Sequence, residues 1–189
     1  MTILQRNQKI SLSAINPSIS KIIVGLGWKV GTNEEFDLDT SAFMLTHDNQ
    51  IRDRGDFVFY GNLKDSLGVL KHSGDNVSGG EGDSERISVD LSKVPDIIGH
   101  ITFVVTIHDA INRQQTFGKV QDAYIRIFDI NANQEILRFN LGQEFYTATS
   151  VVIGDILKRN GEWFFDAVGV PFSGGLQALG QDFDIKATK

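Results

Sequence analysis

A twelve-residue stretch, GDNVSGGEGDSE at residues 74–85, contains four glycines and four acidic residues but no basic residue. Carboxylates packed this closely repel one another unless a cation neutralises them, and Ca²⁺ takes about six to eight oxygen ligands. The glycines allow the backbone to turn sharply enough to wrap around an ion. The sequence therefore predicts a calcium-binding loop whose candidate ligands are Asp75, Asn76, Ser78, Gly79, Glu81, Asp83 and Glu85.

A second acidic group precedes this loop in the segment FDLDTS. Asp37, Asp39 and Ser41 are spaced two residues apart, so they lie on one face of an extended chain. Asp109 ends a later apolar segment and is a further candidate ligand. We expect these residues to form a second wall of the site, and we expect two ions because this many carboxylates would overcharge one. The alternative is a solvated loop and an ordinary polar strand face.

Known catalytic and metal-binding patterns do not fit the chain. Counting from Asp75, the third and twelfth positions are Val77 and Arg86, which excludes an EF-hand. There is no nucleophile elbow and no phosphate-binding Walker loop. The four histidines lack the spacing of a zinc site; they are His47, His72, His100 and His108. We therefore predict that the protein is not an enzyme.

The overall composition narrows the classes of partner. The 189 residues carry a net charge of −6, and no cysteine is present, which excludes disulfides and thiolate metal sites. The acidic balance and scattered basic residues argue against a nucleic-acid partner. The N-terminus lacks the apolar core of a signal peptide, and no apolar run is long enough to span a membrane. We expect a cytoplasmic protein.

Two-residue alternation of apolar side chains predicts a mainly β protein. The segment ITFVVTIHD is apolar on both faces, which indicates a central strand. Asn160-Gly161 predicts a tight hairpin turn, and NANQ joins a second hairpin. We predict one β-sandwich domain over residues 1–189, with a short C-terminal helix within 173–183. The predicted strands are 8–13, 21–30, 39–45, 56–61, 86–91, 101–109, 123–130, 135–141, 149–159 and 162–170.

An ordered set of motifs resembles the TerD family of bacterial tellurite-resistance and general stress proteins. The motifs are VGLGW, FDLDTSAFML, DFVFYGN, HSGDNVSGGEGDSE, FVVTIHDA, FGKV, GEWFFDAVG and SGGL. They run from Val24 to Leu176 and are far more specific together than singly. The resemblance implies a calcium-binding β-sandwich, with ligands from the FDLD strand and the acidic loop.

Three positions depart from the family pattern. Ser84 stands where the second Asp of a GDDE motif usually falls, Ser78 replaces a Thr, and Gly61 replaces the first Asn of an FYNN-like segment. Loss of a carboxylate at position 84 lowers calcium affinity if that side chain is a ligand. It has no effect if the side chain faces solvent.

The resemblance implies a non-enzymatic, calcium-binding stress-response protein of the tellurite-resistance type. Its expected partners, besides calcium, are other stress-resistance proteins, at the inner face of the membrane. One alternative is a calcium-dependent ligand-binding module, either lectin-like or lipid-binding, whose bound ion keeps open coordination positions. Another is a metal-assisted hydrolase in which His72 or His108 acts as the base. The number of protein ligands around the ion distinguishes a closed site from the ligand-binding module, and replacement of His72 and His108 by alanine tests the hydrolase.

Overall fold

Strands dominate the computed structural model, which describes residues 1–29, 35–176 and 178. One sheet has six strands in the spatial order β1–β10–β9–β3–β7–β6, and β1 runs parallel to β10 while the other neighbours are antiparallel. Its strands are β1 Thr2–Leu4, β3 Lys21–Lys29, β6 Leu70–His72, β7 Glu85–Asp90, β9 Gln121–Asp129 and β10 Gln134–Asn140.

The second sheet is antiparallel and has the order β2–β12–β11–β8–β4–β5, with β13 also paired to β11. Its strands are β2 Lys9–Ser11, β4 Leu38–Thr46, β5 Phe57–Val58, β8 Ile98–Ile107, β11 Ser150–Arg159, β12 Glu162–Asp166 and β13 Val170–Phe172. The central position of β8, between β11 and β4, confirms the prediction made from its two apolar faces.

Helical structure is limited in the described residues. Two four-residue α-helices are present, together with four short 3-10 turns; they are α1 Leu12–Ile15, α2 Ala110–Arg113, Arg54–Asp56, Leu91–Lys93, Phe117–Lys119 and Gln143–Phe145. Of the predicted C-terminal helix, Gly175, Leu176 and Ala178 are helical, and residues 177 and 179–183 lie outside the described residues. Within the described part of the chain, no helix is both long and apolar enough to cross a membrane.

The two sheets pack face to face as a β-sandwich, which confirms the predicted fold class. Alternate residues of each strand enter one shared core, for example Leu38 and Ala42 on β4 and Ile87 on β7. The intervening residues of β4 face the other side of its sheet, where Phe43 and Leu45 belong to a second, smaller apolar cluster. This alternation is what places Asp39 outside the main core.

Both predicted hairpins are confirmed. β9 pairs with β10, and β11 pairs with β12 through Asn160 and Gly161, both at positive φ as a type I′ turn requires. Several boundaries differ from the prediction. The predicted strand 8–13 ends early because Ser11 caps α1, its side chain accepting a hydrogen bond from the Ala14 N–H. The short strands β1, β6 and β13 were not predicted, since three residues give too little periodicity.

Candidate metal centre

Three carboxylates from two chain segments meet at one end of the sandwich. Asp37 and Asp39 come from the start of β4, and Asp75 comes from the loop between β6 and β7. Each offers a carboxylate oxygen, and these oxygens all lie within 4.8 Å of one another. We call Asp37, Asp39 and Asp75 the carboxylate cluster. The two walls expected from the sequence therefore meet at these three residues.

The three carboxylates of the cluster differ in their exposure to water. Asp39 and Asp37 are 6% and 8% exposed, whereas Asp75 is exposed. Burial raises the pKa of Asp39 to about 8, with further contributions from Glu85 and from the other two carboxylates of the cluster. Burial also raises the pKa of Asp37, against the opposing effect of His108. Ionised oxygens held this close favour a cation that can neutralise them.

One oxygen of the cluster lacks a hydrogen-bond partner. Asp37 Oδ1 is buried and accepts no hydrogen bond, and the buried Ser41 hydroxyl on the same strand has no partner either. Leaving a buried polar atom unpaired costs about 1–3 kcal/mol. Such atoms need an explanation, and an ion contacting Asp37 Oδ1 is one that fits an all-oxygen donor set.

Glu85 connects the two sheets directly beneath the cluster. Its Oε2 accepts a hydrogen bond from the Thr40 N–H at 2.7 Å, and its Oε1 accepts a longer one from the Asn76 N–H at 3.4 Å. The side chain is fully buried. Glu85 thus fixes the acidic loop, through Asn76, to the strand that carries Asp39.

His72 supports the same junction. Its Nδ1 accepts a hydrogen bond from the Gly74 N–H, so the ring proton lies on Nε2, which donates to the Thr40 carbonyl at 3.1 Å. His72 Nε2 also lies 3.5 Å from Glu85 Oε2. Both nitrogens contact backbone groups within the protein, so His72 serves to position the loop.

The tip of the acidic loop is shaped by Asn76 and Gly79. The Asn76 side-chain oxygen accepts hydrogen bonds from the N–H groups of Ser78 and Gly79, which closes a tight turn. Gly79 has φ +72°, and a Cβ there would lie 2.5 Å from Nε1 of the buried Trp28. Trp28 Nε1 in turn donates to the Phe36 carbonyl, next to Asp37.

Asp83 lies in a different environment from the cluster. Arg126 on β9 donates two hydrogen bonds to its carboxylate, at 2.7 and 2.8 Å, and the Tyr124 hydroxyl donates a third at 3.3 Å. Arg126 also bonds Glu135, which is held by Arg138. We call these five residues the arginine network. Its basic side chains neutralise Asp83 without a metal ion.

The remaining candidate ligands are not brought into the carboxylate cluster. Glu81 and Ser78 are exposed on the loop, and the exposed Asp109 accepts a hydrogen bond from the side chain of Asn112. His108 is closer, with its Nδ1 3.8 Å from Asp39 Oδ2. The structure thus gathers one group of three carboxylates in the described residues, and occupancy by two ions stays a prediction.

Two contributors to this region were not among the sequence candidates. Tyr60 lies beside the cluster, and its pKa is raised by burial and then by Asp39, Asp75 and Asp37. Arg126 occupies an outward position of the strand AYIRIFDI, between the apolar residues Ile125 and Ile127. A basic residue in the middle of a strand could have indicated that Arg126 pairs with an acid. Nothing in the sequence around Tyr60 indicated that it lies beside the cluster.

These features define a β-sandwich protein with a partly buried cluster of carboxylates at one end. A TerD domain matches residues 1–183. The chain belongs to the TerD family.

Relatives cover nearly the whole chain. It is 42% identical to general stress protein 16U of Bacillus subtilis over 98% of this chain and 99% of that protein. It is 40% identical to tellurium resistance protein TerD of Serratia marcescens over 98% of each. A crystal structure of a homologue of telluride resistance protein (TerD) from Streptomyces coelicolor shares the fold, with a TM-score of 0.69 and 19% identity over 86% of this chain and 95% of that one. The family is thus one of tellurium resistance and general stress response.

Proposed function

We propose that the chain binds Ca²⁺ at the carboxylate cluster and acts as a non-enzymatic protein of the stress response. The observation that carries the proposal is the meeting of three carboxylates within 4.8 Å, two of them buried. In the described residues no lysine or arginine is ion-paired to them, and the one basic side chain within ion-pairing distance is His108, whose Nδ1 is 3.8 Å from Asp39 Oδ2. Asp37, Asp39 and Asp75 would hold the ion, which favours the charged form of each carboxylate. Oxygen-only donors suit Ca²⁺ better than softer metals.

Calcium would act on the structure by removing repulsion. The ion offsets the charge of the buried pair, Asp37 and Asp39, and joins it to Asp75 on the acidic loop. Because the site forms only in the folded chain, binding adds stability by mass action, about 2.7 kcal/mol at a hundredfold excess of calcium over its Kd. The loop would then present a defined surface to another protein.

A structural role also fits the histidines of this region. His72 uses both ring nitrogens in backbone hydrogen bonds, and the His108 ring lies 3.8 Å from the Asp39 carboxylate. The named relatives are resistance and stress proteins. We propose that the protein works in the cytoplasm, with other stress-resistance proteins as partners at the inner face of the membrane, and that it contributes to resistance against tellurium compounds or related chemical stress.

The experiment is calorimetric titration of chelator-treated protein with Ca²⁺, with Mg²⁺ as the competing ion. We expect saturable calcium binding that persists in Mg²⁺, and about a tenfold or larger loss of affinity in Asp75→Asn. Glu81→Gln is the matched control, because it removes one charge from the same loop outside the cluster. Absence of calcium binding below about millimolar concentration, or equal effects of the two variants, would overturn the proposal.

A second candidate function rests on Tyr60. This side chain is 39% exposed beside the cluster, so a bound ion would have an aromatic ring next to it. Aromatic faces and a partly open ion together suit a calcium-dependent ligand-binding module. The distinction is the number of waters on the ion in a calcium-bound crystal structure: several favour this candidate, and a shell filled by protein oxygens excludes it.

A further inference from the structure

A cavity of about 600 Å³ lies where β9 begins and β10 ends, beside the turn Phe117–Lys119. We call it the tyrosine cavity; its polar and aromatic lining includes Lys29, Tyr124, Arg138, Asn140 and Tyr146. Its volume falls in the range of about 300–1,000 Å³ that is typical of small-molecule sites. None of the carboxylate cluster lines it.

One wall of the cavity is held rigid by the arginine network. The Arg138 guanidinium stands over the Tyr124 ring at 3.9 Å, and Glu135 accepts hydrogen bonds from its Nε and Nη2. The Tyr124 hydroxyl donates to Asp83 on the other side. In the part of the chain that the structure describes, Arg138 uses two of its five donors, both for Glu135, and the others are available to a ligand. A wall fixed before binding loses little entropy when a ligand arrives.

The opposite wall is aromatic. Tyr146 is 60% exposed, and its ring covers Gly118 so closely that a side chain at that position would collide with it. The buried Phe117 and Leu141 form part of the apolar lining between the two tyrosines. A flat ring could contact the Tyr146 face and the guanidinium of Arg138 together, since both offer planar surfaces.

The charge of the lining indicates what such a ring should carry. Two lining side chains are cationic, Lys29 and Arg138, and one is a carboxylate, Asp122, which is paired with Lys29. The acidic partner of Arg138, Glu135, is not part of the lining. The lining thus has a net positive charge within an overall acidic chain.

We propose that the tyrosine cavity binds a small organic anion, namely a flat unsaturated ring that bears a carboxylate or a phosphate. The anionic group pairs with the free donors of Arg138, and the ring lies against Tyr146. Neither the cavity nor the network contains a member of the carboxylate cluster, so we expect the anion to bind in the absence of calcium.

The test is an NMR titration of the full-length, chelator-treated protein with three probes: phenyl phosphate, benzoate and benzyl alcohol. We expect saturable shifts at the cavity residues, with Kd on the order of 1 mM for at least one anion, as is usual for such small ligands. The neutral alcohol should bind about tenfold more weakly or worse. The preferred anion distinguishes a phosphate site from a carboxylate site.

Two variants assign the binding to the cavity. Arg138→Gln should weaken the preferred anion about tenfold, and Tyr146→Ala about fivefold. The exposed Tyr146 can be replaced without disturbing the network, so the test holds even if the Arg138 variant fails to fold. Ile97→Ala is the control, because this exposed apolar residue lies outside the cavity lining, and it should leave the affinity unchanged. Absence of saturable shifts for both anions, or unchanged affinity in the Tyr146 variant, would overturn the proposal, whatever the outcome of the calcium titration.

Discussion

Two acidic regions of this protein surround their buried carboxylates with opposite kinds of neighbour. In the carboxylate cluster, Asp37 and Asp39 lie beside Asp75, and in the described residues no lysine or arginine is ion-paired to them. In the arginine network, Asp83 receives two hydrogen bonds from Arg126 and is 2% exposed in its side chain. The second region neutralises its own charges, whereas under the proposed function a bound cation neutralises the first.

The contrast arises within one short loop, since Asp75 and Asp83 are eight residues apart in the sequence. Their different surroundings come from distant strands, β4 for Asp75 and β9 for Asp83. Proximity in the sequence therefore does not assign two acids to the same ion. The strand on which each neighbour lies decides whether an acid of the loop meets other carboxylates, as Asp75 does, or an arginine, as Asp83 does.

The largest effect should come from breaking the arginine network. Arg126→Ala leaves the buried Asp83 carboxylate without its paired charge, which should cost about 3 kcal/mol of stability. Because the network needs no metal, the loss should be equal with calcium and with chelator in urea unfolding. Arg86→Ala is the control, since its Nε is 4.0 Å from Asp83 on an exposed side chain and should cost less than about 1 kcal/mol. A loss that disappears in calcium would contradict the comparison.

A smaller effect of opposite sign should follow from Asp39→Asn. The substitution removes a buried, repelled carboxylate, so the metal-free protein should gain about 2 kcal/mol while losing its stabilisation by calcium. Thermal unfolding with chelator and with calcium measures both changes. Asp75→Asn, at an exposed position, should abolish the calcium effect with little gain in metal-free stability. Destabilisation of the chelator-treated Asp39 variant would argue that this carboxylate makes favourable contacts instead.

The pH dependence of stability in the metal-free protein also measures the cost of the buried Asp39 carboxylate. Because the pKa of Asp39 is raised from 3.8 to about 8, the folded chain holds a proton that the unfolded chain releases in this interval. Stability should therefore fall as pH rises from about 4 to about 8, by at most about 1.4 kcal/mol per pH unit. Urea unfolding at about pH 5.5 and about pH 7.5 measures the slope, and Asp39→Asn should flatten it. A slope that persists in that variant would have to come from another group.

The smallest effect is expected at Asp109, an acid outside both regions. Asp109→Asn should change stability by less than about 0.5 kcal/mol and calcium affinity by less than about threefold. Asn also tolerates the left-handed conformation at this position, where φ is 51°. Calorimetry together with thermal unfolding checks both numbers. A strong loss of calcium affinity would mean that Asp109 moves into the site on binding.

The sequence predicted the sandwich because periodicity is a local property. The alternation in ITFVVTIHD and the Asn160-Gly161 turn led directly to β8 and to the β11–β12 hairpin. It also grouped Asp37 with Asp39, since their spacing on a strand is fixed by the backbone. The three-residue strands were missed because too few side chains are available to show a pattern.

The site was only partly predictable because its contacts cross the sandwich. Asp75, Glu81 and Asp83 were all predicted to be calcium ligands because they share one acidic, glycine-rich loop. The structure brings only Asp75 into the carboxylate cluster. Arg126 and Tyr124, which hold Asp83, lie 43 and 41 residues further along the chain. Residue types in a loop indicate the kind of chemistry, and strand pairing then decides which residues perform it.

The contact between Trp28 and Gly79 gives the protein an internal optical reporter. The indole is buried beneath the acidic loop and donates its N–H to the Phe36 carbonyl beside Asp37. The other tryptophan, Trp163, lies on β12 of the second sheet, three strands away from β4, which carries Asp39. In Trp163→Phe, tryptophan fluorescence would therefore come from Trp28 alone. A rearrangement of the acidic loop would then shift the emission wavelength and intensity of Trp28.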